Sequence, residues 1–475
     1  MINESALAAV RPAIQDAEME AVATARHRVL FITLHFPPSR DIGAHACEQI
    51  GRYFPLYGWD PVVLTRPKRL IESADPNHRR VFPGTIVEAG LLPHPLSIYR
   101  KLKHVLRGRG GSDSPGDEKL NQQQPGRLRR WVLSLLHMPD VYTGWLVPAT
   151  ITGLRTIRRE QLTHIFSSGP YWTNHLVGLM LARLTGLPWT VHYRDPWNQV
   201  PQSKAVSALS ATVERWLERR VIARADSVVC VTDTHTRLLR QIFADLPPDK
   251  FVTIPNGYDE AEWERSESLS LQPETSNHKR FVIAYAGGFM MGTRSPRPLF
   301  RALKELIEAR ALDPDHVRVE LYGNCDVAEG IRVTDMASEY GLNELVHVGA
   351  SLSRPETLQR VASSDLLLLL AEGWALQIPG KTYEYLRAGR PILALTSEGA
   401  LADLLRRTGG AWVAEPGDDA AITRAVREAY IAWTMGHPTP VADGAIIAAF
   451  DRRRLAGRFT ALFDEARARE AARRD

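Results

Sequence analysis

The sequence has few of the features that would tie this 475-residue chain to a special environment. Its three cysteines, Cys47, Cys230 and Cys325, are odd in number and lie far apart, which excludes a disulfide framework and a cysteine zinc site and indicates a reducing compartment. No uninterrupted apolar run exceeds six residues, far short of the roughly 20 that a membrane-spanning helix needs. The first twenty residues are acidic and lack the apolar core of a secretory signal. We therefore expect a cytoplasmic protein.

The charge balance is mild overall but uneven along the chain. Lys+Arg 59 against Asp+Glu 54 gives a net charge of +5, which does not indicate nucleic-acid binding. The segment 127–138 places Arg127, Arg129 and Arg130 beside Trp131 and several leucines. That pattern suits a peripheral contact with an anionic membrane, here the inner face of the cytoplasmic membrane. A core helix with a solvated basic flank explains the same pattern.

Short apolar runs alternate with helical patterns in two series, 28–255 and 281–416. Such alternation predicts parallel sheets covered by helices, so we expect an α/β protein of two doubly wound domains. Ligands would bind at the carboxyl ends of the strands, in a cleft that the domains face. The expected division is a polar lead-in 1–25, an N-terminal domain 26–256 with a basic loop 100–138, a linker 257–279, a C-terminal domain 280–440 and a helical region 441–475 that crosses back to the N-terminal domain.

One predicted helix, 207–224, has a clear apolar periodicity. Residues at helical spacing form its expected buried face: Leu209, Val213, Trp216, Leu217 and Val221.

The segment Ile378-Pro-Gly-Lys-Thr-Tyr-Glu-Tyr-Leu386 is the most informative part of the sequence. Gly380 permits close backbone approach, and a helix beginning at Lys381 or Thr382 would direct free N–H groups at an anion. Lys381 adds a positive charge and Thr382 a hydroxyl, while Glu384 is suited to accept hydrogen bonds from a ribose diol. An ordinary helix N-terminus explains the same residues.

Together with its continuation Arg387-Ala-Gly-Arg-Pro-Ile-Leu393, this segment resembles the nucleotide-sugar site of family 4 glycosyltransferases. Further segments resemble elements of that family in the same order: His35-Phe-Pro-Pro38 with Gly43, Pro139-Asp140 with Gly144-Trp145, Ser167-Ser-Gly-Pro170, Arg194-Asp-Pro-Trp197 and Ile254-Pro-Asn-Gly257. The resemblance covers nearly the whole chain. It implies the GT-B architecture, two Rossmann-like domains facing a central cleft, and retaining transfer from a nucleotide sugar.

The resemblance also implies roles for individual residues. The catalytic set would be Arg194, Asp195, Arg294 and Lys381. The donor-binding set would be Gly43, Gly288, Arg294, Gly323, Asn324, Gly380, Lys381, Thr382 and Glu384. The acceptor side would include Ser168, Gly169, His175 and His192. Arginine suits phosphate because its planar fork bonds two oxygens, and Arg297 is the alternative to Arg294. Asp195 either orients an acceptor hydroxyl or forms an ion pair with Arg194.

Two features bear on the mechanism. Many relatives carry two glutamates eight positions apart, and Glu384 fills the second place while Leu376 occupies the first. The donor-sugar contact of that carboxylate is thus missing.

Asp313-Pro-Asp315 matches a metal-binding pattern of another fold, but it precedes a strand and is predicted to be a turn. We expect no metal and no cofactor, with basic residues neutralising the leaving diphosphate.

The sequence therefore predicts a retaining, metal-independent, hexosyltransferase-like enzyme. It would move a sugar from a nucleotide diphosphate sugar to a saccharide or lipid-linked acceptor in envelope or exopolysaccharide biosynthesis. Two alternatives remain open. One is a nucleotide-sugar epimerase on the same fold, and the other is a non-catalytic nucleotide-sugar-binding homologue.

Overall fold

The structure is a computed structural model, and it describes residues 27–39, 41–71, 82–93, 138–199, 208–268, 280–289, 294–373 and 375–474. The chain divides into two compact units. Unit 1 comprises Met1–Cys230, Thr236–Ile254 and Ala456–Asp475, and unit 2 comprises Val231–His235 and Pro255–Leu455. The basic segment 127–137, with Trp131, lies outside the described residues.

Unit 1 is built on one sheet of seven parallel strands. The strands are β1 His27–Ile32, β2 Trp59–Thr65, β3 Thr85–Glu88, β4 His164–Gly169, β5 Trp189–Tyr193, β6 Ser227–Cys230 and β7 Phe251–Thr253. The helices are α1 Ile42–Arg52, α2 Leu146–Glu160, α3 Thr173–Thr185, α4 Ala208–Arg224 and α5 Asp233–Ile242. The strand order is β3-β2-β1-β4-β5-β6-β7, so the order reverses between β1 and β4. Ligands of such sheets bind beside that reversal, at the carboxyl ends of the strands.

Unit 2 repeats the plan with a sheet of six parallel strands. After α6 Glu260–Ser268 its elements are β8 Phe281–Ala286, α7 Arg297–Glu308, β9 Val317–Tyr322, β10 Val327–Ala328, β11 Ile331–Arg332, α8 Val333–Glu339, β12 Val346–Gly349, α9 Arg354–Ser363, β13 Leu366–Leu370, α10 Lys381–Ala388, β14 Ile392–Leu395, α11 Ala400–Thr408, β15 Ala411–Ala414, α12 Asp419–Met435 and α13 Gly444–Ala448. The last helix, α14 Arg452–Arg474, begins in unit 2 and belongs to unit 1 from Ala456 onward. The sheet order is β12-β9-β8-β13-β14-β15, while β10 and β11 form a separate antiparallel hairpin. The predicted α/β class with two doubly wound sheets is confirmed.

The central strand β13 shows why each sheet needs helices on both faces. Its five leucines are all buried, and alternate side chains enter two different hydrophobic clusters. Leu366, Leu368 and Leu370 join one cluster, whereas Leu367 and Leu369 join the other. A strand has a side-chain period of two, so an unbroken apolar run requires packing on both faces.

Helix α14 supplies part of the core of unit 1. Phe463 packs edge-on against Phe54 and Trp59, with ring centroids 5.4 and 5.3 Å apart, and Phe459 packs against Phe166 at 5.3 Å. The indole Nε1 of Trp59 donates to Asp464 Oδ1 at 3.2 Å. These contacts make α14 from Ala456 onward part of the first unit.

Some local predictions need correction. Helix α1 ends at Arg52, and a separate 3-10 turn, Phe54–Tyr57, follows it with Pro55 near its start. Helix α6 lies inside the segment predicted as a linker, and its Trp263 is buried. The predicted turn at Asp313 is confirmed, since its side chain accepts from Asp315 N.

The apolar face predicted for α4 is also only partly right. Val221 is fully buried, but Trp216 is 54% exposed and packs against the Arg220 guanidinium, 4.9 Å from the ring centroid. Glu218 is buried instead and accepts hydrogen bonds from Asn198 and Gln199. The apolar periodicity alone did not predict that this carboxylate would be buried and hydrogen-bonded.

Among the described helices, none is both long and apolar enough to cross a bilayer.

Candidate functional site

In unit 2, two glycines bring the ends of neighbouring strands together. Gly287 follows β8 and Gly323 follows β9, with φ angles of 152° and 110° that favour glycine. A β-carbon on Gly323 would overlap the carbonyl oxygen of Gly287, and one on Gly287 would overlap Lys381 Nζ. Glycine at both positions therefore lets the β8 end, the β9 end and Lys381 meet at one point.

Lys381 is the first residue of α10, as the sequence predicted. Its Nζ is buried, has no hydrogen-bond acceptor in the part of the chain that the structure describes, and lies 3.8 Å from the centroid of the Tyr285 ring. Burial, together with the positive charge of Arg294, lowers the pKa of Lys381 to about 7. The face of an aromatic ring attracts a cation, but it compensates only part of the lost hydration. This ammonium is arranged to receive an anion.

Arg294 lies on the same side of the unit. It is half-buried, bonds to the Tyr285 hydroxyl, and lines a cavity of about 270 Å³ with Arg297 and Arg301. Arg297, the predicted alternative, instead forms an ion pair with Glu329 at 2.9 Å. The arrangement favours Arg294 over Arg297 as the partner of Lys381.

The other predicted donor residues occupy different surroundings. Asn324 and Gly380 are exposed, and the carbonyl oxygen of Gly288 accepts from the Tyr285 hydroxyl at 2.9 Å. Thr382 is fully buried, so ligand access to its hydroxyl is not evident in this structure.

The two positions of the glutamate pattern have different partners. Glu384 Oε1 accepts from Arg354 Nη2 at 2.6 Å. At the first position, the carbonyl oxygen of Leu376 accepts from the Thr232 hydroxyl at 2.7 Å, so the backbone there is held within unit 2. Residue 376 thus keeps a structural contact without a carboxylate.

In unit 1, Arg194 links the first turn of α1 to the end of β4 and the residue that follows it. Its guanidinium donates to the carbonyl oxygens of Gly43, Gly169 and Pro170 at 2.8, 2.8 and 3.1 Å. A β-carbon on Gly43 would lie 2.6 Å from Arg194 Nη1, which explains the glycine. These bonds give Arg194 and Gly43 a structural role. A catalytic role for Arg194 and the half-buried Asp195, and a donor contact for Gly43, stay predictions.

The acceptor-side residues of unit 1 lie in the core. Ser167 Oγ lies 2.9 Å from His175 Nδ1, and Ser168 Oγ lies 3.1 Å from His192 Nδ1. Ser168, His175 and His192 are all less than 2% exposed. Burial, with the charge of Arg194, lowers the pKa of His175 to about 3, so this ring is neutral. An acceptor would reach these side chains only after the packing around them changed.

Sequence reasoning missed several contributors. Tyr285 is one residue of the apolar strand β8, two positions before Gly287, and nothing in the strand pattern distinguishes it from its neighbours. Arg354 is the first residue of α9, and the signal for it was that a cation is disfavoured at a helix N-terminus unless a carboxylate lies nearby. In unit 1, Asp140 accepts from Thr173 N and Thr173 Oγ1, both at 2.8 Å, and thereby fixes the start of α3.

A comparison with protein families decides the classification. Residues 18–257, about half of the chain, match the profile described as a glycosyl transferase 4-like domain. The chain belongs to this family. The predicted resemblance to family 4 glycosyltransferases is confirmed. Among curated proteins, none matches the sequence.

Solved structures similar to this glycosyltransferase agree on the fold. Sucrose-phosphate synthase from Thermosynechococcus elongatus is 15% identical, with a TM-score of 0.56, and the match covers 94% of this chain and 98% of that one. A glycosyltransferase from Rickettsia africae is 12% identical, with a TM-score of 0.58 and coverage of 93% and 98%. HepE from Anabaena, solved in complex with UDP-glucose, is 15% identical, with a TM-score of 0.52 and coverage of 94% and 99%. The predicted GT-B fold class is confirmed.

Proposed function

We propose that this glycosyltransferase moves a sugar from a nucleotide diphosphate sugar to an acceptor, with retention of anomeric configuration. The observation that carries the proposal is the buried Lys381 ammonium, which has no acceptor among the described residues and lies beside Arg294 at two glycine strand ends. A diphosphate supplies the missing negative charge. The UDP-glucose in the HepE structure supports the same donor class.

In the proposed mechanism the protein positions the donor and stabilises charge. Lys381, Arg294 and the N-terminus of α10 stabilise the leaving diphosphate, and Glu384 binds the ribose. The leaving phosphate accepts the proton of the acceptor hydroxyl while the new bond forms on the same face of the sugar. No protein nucleophile is needed, and positioning supplies much of the rate. Because basic groups neutralise the phosphate, we propose that transfer needs no metal.

Product analysis tests this function. The enzyme is incubated with candidate nucleotide sugars and saccharide or lipid-linked acceptors in the presence of EDTA. The expected result is a glycosylated acceptor whose anomeric configuration, assigned by NMR, matches that of the donor. An inverted product, or activity that returns only with added divalent metal, would overturn the mechanism. Release of an epimerised sugar supports the epimerase alternative, and donor binding without any product supports the non-catalytic homologue, for which Leu376 is the one indication.

We further propose that the enzyme acts in envelope or exopolysaccharide biosynthesis at the inner face of the cytoplasmic membrane. The support is the basic, aromatic composition of 127–138, most of which lies outside the described residues. Co-sedimentation with anionic vesicles at low salt is expected, and it should weaken as salt rises. Replacing Arg127, Arg129 and Arg130 by Gln should reduce it while nucleotide affinity is retained. Failure of the wild type to co-sediment would remove the membrane proposal.

A further inference from the structure

One guanidinium in unit 2 joins two carboxylates from two other helices. Arg354 Nε donates to Glu262 Oε2 at 2.9 Å, and Arg354 Nη2 donates to Glu384 Oε1 at 2.6 Å. The side chains of Arg354, Glu262 and Glu384 are 32%, 2% and 18% exposed. The triad therefore links α6, α9 and α10, and its Glu262 end is buried.

The position of Arg354 is electrostatically unusual. It is the first residue of α9, where the helix dipole disfavours a cation. Burial also opposes its charge, but the carboxylates of Glu384 and Glu262 together raise the pKa of Arg354 above its ordinary value. The helix does not need this arginine as a cap, because Ser353 and Glu356 already form a capping box. The favourable contacts of Arg354 are those to the two carboxylates.

The contact leaves Glu384 with one oxygen for a ligand. Oε1 is bonded to Arg354, whereas Oε2 has no hydrogen-bond partner in the described ranges. Glu384 lies one turn into α10, the helix that Lys381 begins. Anchoring one oxygen restricts how the carboxylate can rotate, so it also narrows the directions in which the other oxygen can accept a hydrogen bond.

We propose that Arg354 is a positioning residue for ribose recognition, holding Glu384 so that Oε2 accepts from the ribose hydroxyls of the nucleotide. This inference rests on the proposed function, in which Glu384 contacts the ribose. It predicts that discrimination between ribose and deoxyribose depends on Arg354, although Arg354 itself need not touch the nucleotide.

The variants must separate positioning from folding. Arg354→Met alone would remove the ion pair of the buried Glu262 carboxylate with Arg354, which costs stability. The test variant is therefore the double substitution Glu262→Leu with Arg354→Met, which removes both members of the buried pair. The matched control is Glu260→Leu with Arg387→Met. This pair also joins α6 to α10, with Arg387 Nε 2.8 Å from Glu260 Oε2, but it does not contact Glu384. Arg354→Lys serves as the conservative variant.

The readout is a ratio of affinities. Calorimetry measures binding of ADP, GDP, CDP and UDP and of their 2′-deoxy and 3′-deoxy forms to the full-length protein. For the nucleotide that binds best, the wild type should prefer the ribose form by about tenfold or more, as expected for a charge-assisted hydrogen bond. The ratio of the affinity for the ribose form to the affinity for the deoxy form should fall below about threefold in the test variant. It should recover partly in Arg354→Lys and stay at the wild-type value in the control.

Three outcomes would overturn the inference, and they are distinguishable. If no nucleoside diphosphate binds the wild type, the proposed function fails as well. If the wild type binds without preference for ribose, Glu384 is not the ribose contact. If the test variant keeps the full ratio while it binds and remains folded by circular dichroism, the proposed function survives and the role of Arg354 is wrong.

Discussion

The two units use charge differently at the carboxyl ends of their strands. In unit 1, Arg194 is bonded to three carbonyl oxygens and Asp140 to the start of α3. In unit 2, Lys381 Nζ is buried with no acceptor among the residues described. A satisfied polar group stabilises the fold, whereas an unsatisfied buried cation costs stability and gains by binding an anion. The comparison shows a cation that is bonded within the fold in unit 1, and in unit 2 a buried cation that the proposed diphosphate site would use.

The largest expected effect concerns unit 1. Arg194→Leu removes three hydrogen bonds that one guanidinium makes to backbone carbonyls, so the free energy of unfolding should fall by about 3 kcal/mol. Urea denaturation measures the loss. Arg183→Leu, an exposed position on α3, is the control and should change stability by less than about 0.5 kcal/mol. Nucleoside diphosphate affinity should persist in the folded Arg194 variant. Its complete loss would contradict the view that Arg194 supports the fold while the nucleotide binds to unit 2.

The second prediction concerns Lys381. Lys381→Met removes a buried ammonium, so affinity for the nucleoside diphosphate should fall by about 2 kcal/mol, roughly thirtyfold, while thermal stability stays equal or rises. Titration calorimetry and a thermal melt measure the two effects. Lys304→Met, which removes an exposed lysine of α7, should change neither. Unchanged affinity in both Lys381→Met and Arg294→Ala would remove the proposed phosphate site.

A smaller effect should appear in the pH dependence of binding. The free site holds Lys381 with a pKa of about 7, and a bound diphosphate would raise that pKa by favouring the ammonium. Binding above pH 7 therefore takes up a proton, and affinity should weaken about fivefold between pH 7 and 8. Calorimetry in two buffers of different ionisation enthalpy measures the uptake. In the Lys381→Met variant, affinity should no longer fall between pH 7 and 8. If it falls as steeply as in the wild type, the pH dependence belongs to another group.

The smallest predicted effect tests a single bond of unit 1. Thr173→Val removes the hydroxyl donor to Asp140 but keeps the two backbone donors, Thr173 N and Tyr142 N. Because the carboxylate remains bonded, the free energy of unfolding should fall by only about 0.5–1 kcal/mol. A loss above about 2 kcal/mol in urea would show that the segment around Asp140 is less well supported than its contacts indicate.

The strands, the glycines that follow them and the start of α10 could be predicted because they depend on local pattern. Lys381 begins its helix where the sequence places it, and the capping box of Ser353 with Glu356 likewise involves residues only three positions apart. Partners distant in the sequence could not be predicted. Arg194 bonds to Gly43, 151 residues away, and Arg354 bonds to Glu262, 92 residues away. Periodicity identifies a buried face but not which polar group a neighbouring loop will bond, as Glu218 and Trp216 of α4 demonstrate.

Helix α14 constrains how the protein can fold while it is being synthesised. Trp59 bonds to Asp464, 405 residues downstream, and Phe463 packs in the same cluster. A ribosome therefore completes all of unit 2 before the first unit receives the side chains that finish its core. During that time the apolar surface beneath Phe54 and Trp59 lacks its native cover, and such surfaces favour aggregation and chaperone binding. Unit 1, although it comes first along the chain, is thus the last of the two units whose core can be completed.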